Sequence, residues 1–115
     1  MKIVISKDFT DNPGARYYSD GKYSGQEFLL EYLIPAFEEA VKKNEELIID
    51  LDDTWGYASS FISASFGCLS KIFGKEEVLE RLELISEDEP NLKSKIINEI
   101  NNPEINRDDD CRKKK

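Results

Sequence analysis

The chain contains no histidine, and this absence removes more chemistry than any other feature of its composition. Without an imidazole there is no Ser-His or Cys-His nucleophile pair, no histidine metal ligand and no side chain that titrates unperturbed near neutrality. Cysteine is nearly as scarce. Cys68 falls inside an expected helix and Cys111 in a charged C-terminal run, so two free thiols in a reducing compartment are predicted rather than a disulfide framework. No run approaches the roughly 18 uninterrupted apolar residues that span a bilayer. Met1 to Ile5 lacks the long apolar centre of a signal peptide, so a cytoplasmic protein is expected. Positive charge is in deficit: 16 Lys and Arg face 24 Asp and Glu, for a net charge of −8. A surface of that sign is repelled by phosphate backbones and by anionic lipid, which argues against nucleic acid and membrane as partners.

What is present is enough for one small core. The 115 residues are 39% hydrophobic, room for one compact domain over residues 1–103 followed by a disordered charged tail over 104–115. Ile3-Val4-Ile5 reads as a first strand within Lys2 to Ser6, and Leu47 to Leu51 as the best buried strand. Leu82 and Leu84 alternate with Arg81 and Glu83 in a third strand ending near Ser86. Lys7 to Tyr23 reads as a long loop, with Arg16-Tyr17-Tyr18 able to form a short edge strand.

Helices alternate with these strands. Ser24-Gly25-Gln26-Glu27 is a capping box that starts the first, and Pro35 should kink or split it because it cannot bond back to Glu31. A second runs from about Ser60 to Phe73, closed by Gly74. It carries one apolar stripe and one small-residue face of Ser59, Ser63, Gly67 and Ser70 that would admit another backbone closely. Lys75 to Glu80 adds a helical turn, and Pro90 opens a last helix with Leu92, Ile96 and Ile100 on one side. The pattern is α/β: a small mixed sheet with helices packed on it.

The most informative stretch is Leu47 to Phe66, where an apolar run ends in carboxylates and then in two serines opening a helix. Asp50-Leu51-Asp52-Asp53-Thr54 after Leu47-Ile48-Ile49 resembles the nucleophile motif of the haloacid dehalogenase phosphohydrolases. That resemblance implies a Mg2+-dependent enzyme with Asp50 as nucleophile and Asp52 as acid and base. Only 65 residues follow Asp50, and Asp108 to Asp110, the acidic run available as downstream ligands, have no apolar strand to position them. The phosphohydrolase is therefore the alternative reading.

A second resemblance covers more of the chain. Asp8-Phe9-Thr10, Pro13-Gly14-Ala15-Arg16, Gly21 to Phe28, Asp50-Leu51-Asp52, Gly56 to Phe61 and Ala64-Ser65-Phe66-Gly67 together resemble a bacterial family of STAS-like domains of unknown function. Ile49 to Gly67 also aligns without gaps to the signature of the STAS anti-sigma-factor antagonists, a strand followed by Asp-Ser-Ser-Gly at a helix start, with Ser59 and Ser60 on the two serines. Ala58 stands where that signature has Asp, and Phe61 where it has Gly.

The resemblance implies a non-catalytic regulatory or protein-binding module without cofactor. It also implies phosphorylation at Ser59 or Ser60 by a kinase with a GHKL-type ATP-binding domain, which releases a bound protein. Read as residues alone, Ser60 is equally an N-cap with Ser59 a turn residue beside it. Arg16, Tyr17, Trp55, Tyr57 and Phe61 are the candidate partner-binding residues, being of types enriched in interfaces.

Overall fold

The computed structural model describes residues 1–104 and residue 111. Three strands, β1 (Lys2–Val4), β2 (Leu47–Asp50) and β3 (Leu82–Ile85), lie in the order β1-β2-β3, with the Leu47 strand central as expected. Ile3 pairs with Ile49, and Ile49 with Leu84. All three are buried, which puts one apolar face of the sheet beneath the helices. The α/β class is as expected, but the described sheet is wholly parallel rather than mixed. The physical reason is connectivity, since each strand follows the last through a helical crossover. Residues 16–18 form no edge strand, and a tight 3-10 turn occupies Tyr18–Asp20 instead.

The first long helix begins at α1 (Gly25–Phe28), passes through a wider turn at Leu29–Leu33 and continues as α2 (Ile34–Lys43). In that turn the Ile34 amide bonds to the carbonyl of Leu29, five residues back. This is the split expected at Pro35: the extra residue absorbs the bond that a proline cannot make. At the start, Ser24 Oγ accepts from the Glu27 amide at 3.0 Å, and Glu27 reaches back to accept from the Tyr23 amide at 3.1 Å. Asn44, with φ of 55°, closes α2 in the left-handed conformation.

The second long helix is built the same way from α3 (Ser59–Ile62), a wide turn at Ser63–Gly67 and α4 (Cys68–Phe73). After Gly74 come α5 (Lys75–Arg81), β3 and α6 (Pro90–Asn101). The small-residue face meets α6 at Gly67 and Ser70, while Ser63 receives Arg16. A Cβ placed on Gly67 would lie 2.6 Å from Glu99 Oε2, so a larger residue would require that side chain to shift. Gly25 plays the same part between α1 and α3, where a Cβ would meet the Phe61 carbonyl oxygen at 2.5 Å.

Two expectations about the C-terminal run divide. Cys111 is 1% exposed and disulfide-bonded to Cys68, with Cα atoms 5.4 Å apart, which overturns the reading of both as free thiols. Spacing along the chain could not disclose the pair, because the partners are 43 residues apart and meet only when Cys111 packs on α4. The expected disordered tail over 104–115 lies, apart from Glu104 and Cys111, outside the described residues.

Candidate functional site

The carboxyl ends of parallel strands open onto the loops that follow them, and there the chain places its acidic motif. Asp50 is the last residue of β2, and its Oδ1 accepts from the Asp52 amide at 3.0 Å. Asp52 reaches across to the loop after β3, where its Oδ1 accepts from the amides of Glu87 at 2.8 Å and Asp88 at 2.9 Å. Asp88 returns the contact by accepting from the Asp53 amide at 2.8 Å. These carboxylates tie the two loops together, and Asp52 holds both amides with Oδ1. Among the described residues no cluster of three or more His, Cys, Asp or Glu side chains could hold a metal ion. The acidic run at Asp108 to Asp110 lies outside those residues.

Between the two tied loops is a shallow cleft of about 170 Å³, lined by Asp52, Trp55, Tyr57, Ser86 and Asp88 among others. Tyr57 forms its inner wall. Its hydroxyl donates to the Leu51 carbonyl at 2.9 Å, and burial, reinforced by the charges of Asp50 and Asp52, pushes its pKa up to about 12 despite a hydrogen bond with Thr54 that pulls it down. Trp55 lines the same cleft. The residue is 85% exposed although its amide is fixed to the Asp11 carbonyl at 2.8 Å, so a held backbone presents a large aromatic to solvent.

The two serines follow directly on the cap of α3. Ala58, extended at φ −69° and ψ 149°, is the N-cap, because its carbonyl accepts from the amides of Phe61 and Ile62. The helix therefore begins one residue before the expected Ser60, and Ser60 is not its cap. Ser59 is exposed and Ser60 half-buried. Neither hydroxyl makes a hydrogen bond among the described residues. Phe61 is corrected as well: it is wholly buried, with its ring 5.9 Å from that of Phe28 and 5.8 Å from that of Tyr57, and no partner can reach it.

A family model described as a STAS-like domain of unknown function matches residues 24–92, from the Ser24 cap to the first turn of α6. The chain belongs to that family. No curated protein and no solved structure matches it significantly. In this STAS-like domain the match spans both serines, the acidic loop and Trp55, and the family is not a known enzyme family.

Arg16 and Tyr17 lie in the long loop before α1. Arg16 donates from Nη1 to Ser63 Oγ at 3.0 Å and pairs through Nη2 with Glu104 at 3.6 Å, pinning the long loop to the second helix. The Tyr17 amide donates to Asp20 Oδ2 at 3.0 Å. The carbonyls of Ala15 and Arg16 accept from the amides of Gly25 and Gln26, so this loop occupies the start of α1. Gln26 Oε1 accepts from the Tyr18 amide, while its buried Nε2 has no partner among the described residues. Sequence reasoning missed the role of Asp88, whose position 35 residues from Asp53 gives no local signal.

Proposed function

We propose that this STAS-like domain is a non-catalytic protein-binding module whose contact face is centred on Trp55 and the start of α3. The observation that carries the reading is Trp55, 85% exposed on a backbone held by Asp11. Large aromatics are the residues most often found at interface hot spots, and water-exposed indole is costly to retain without use. Ser59 supplies the regulation. Phosphorylation there adds about two negative charges at the start of α3, four residues from Trp55 in sequence, and an acid-intolerant partner is released. The amides of Ser59 and Ser60, which have no acceptor among the described residues, favour the phosphate at this helix start. The partner class is the one the resemblance implies, a GHKL-type kinase or another regulatory protein.

The test is affinity capture from the native host with wild type, Trp55→Ala, Ser59→Ala and Ser59→Asp, followed by mass spectrometry for prey and phosphopeptides. Wild type and Ser59→Ala should retain the same prey, and Trp55→Ala and Ser59→Asp should lose it. Identical prey for all four proteins, with no phosphopeptide, would leave the face without function.

A further inference from the structure

On the side of the domain formed by α2, α4 and α5 lies a groove of about 330 Å³, lined by Phe37, Glu38, Val41, Phe73 and Glu77. Its floor is aromatic: the rings of Phe37 and Phe73 lie 4.7 Å apart at 40°. Val41, one turn beyond Phe37, is 42% exposed, so the apolar surface continues from the floor to solvent. Gly74, with φ of 95°, turns the chain sharply after Phe73 and brings α5 and Glu77 to the rim. Neither Glu38 nor Glu77 forms an ion pair among the described residues, whereas the adjacent Glu39 is held by Lys43 at 3.2 Å.

We propose that this groove seats a large apolar side chain from a basic segment of a partner protein, with lysine or arginine on that segment meeting Glu38 and Glu77. Two carboxylates that have no ion pair among the described residues flank an apolar floor, and they select a cation-flanked hydrophobe and penalise an acidic one. A second copy of the chain is disfavoured because it brings the same two carboxylates and a net charge of −8. A small ligand would be buried too little, since such sites enclose most of their ligand while this groove leaves Val41 half open. The surface is separate from the Trp55 face and stands whether or not that face binds.

The test uses the full chain, isotope-labelled, and three synthetic peptides of equal length followed by amide chemical shifts. The first carries one leucine flanked by lysines and arginines, the second has glycine for the leucine, and the third has glutamates for the basic residues. The first should shift the amides of residues 37–41 and 73–77 saturably, and the other two should not. Glu38→Lys with Glu77→Lys should weaken the first peptide by about tenfold. Val41→Asp should weaken it comparably, and both variants should keep the remaining spectrum because the altered side chains are exposed. Equal binding of the glycine peptide, unchanged affinity after charge reversal, shifts centred on Trp55, or concentration-dependent self-association through the groove would each overturn the proposal.

Discussion

Ser70 Oγ donates a 2.6 Å hydrogen bond to the carbonyl oxygen of Ile100, thirty residues further along the chain. Ile100 lies in the last turn of α6, where helix carbonyls have no partner within the helix, so a serine on one helix closes the end of another. Ser70 is only 5% exposed, so no water replaces it without rearrangement. Ser70→Ala should therefore lower stability by about 1–3 kcal/mol, the cost of leaving a buried carbonyl unpaired. Urea denaturation should show a lower midpoint at unchanged slope. An unchanged midpoint would mean that α6 is held by its apolar stripe alone.

The disulfide from Cys68 to Cys111 closes a long stretch of chain against α4. Cross-linking over that separation stabilises a fold by about 2–4 kcal/mol through the unfolded state. Cys111→Ser, or wild type under reductant, should fall in unfolding midpoint by that amount. Thiol titration of the native, unreduced protein should find no free thiol.

Asp52 accepts two backbone amides from the loop after β3. Asp52→Ala should cost about 1–3 kcal/mol of stability because both amides lose a charged acceptor. The same structural role predicts no Mg2+-dependent turnover of small phosphoesters by wild type. Turnover that disappeared in Asp50→Asn or Asp52→Asn at unchanged stability would make these residues catalytic.

Tyr57 should ionise at a pH well above that of free tyrosine. With its pKa pushed up from 10.0 to about 12, chiefly by burial, the folded state holds the phenolic proton longer than the unfolded state does. The stability it contributes is complete below pH 10 and is lost as pH rises towards 12. Tyr57→Phe should flatten the decline of stability in that window, and the phenolate absorbance missing from the variant should belong to a fraction that titrates later than free tyrosine. An unaltered slope would place the alkaline sensitivity elsewhere.

What the sequence determined by itself is the part of the fold written in local chemistry. Leu47-Ile48-Ile49 specifies a central strand because an uninterrupted apolar run with two β-branched isoleucines suits a strand with little exposed surface. Ser24 with Glu27 starts α1 because a hydroxyl three residues back is within reach of an orphan amide. Pro35 splits the helix because its ring has no amide to give. The order of the elements followed from the same alternation of periods, and the family likeness from the residue blocks that carry the resemblance. Tertiary structure decided everything that depends on residues distant in sequence. It made Phe61 core rather than contact surface, because the rings of Phe28 and Tyr57 close over it. It put the cap at Ala58, whose carbonyl accepts from the amides of Phe61 and Ile62, rather than at Ser60. It turned Asp52 from a free acid into a clasp, and two scattered cysteines into a bond. Backbone preferences act within a few residues, whereas packing chooses partners across the whole chain.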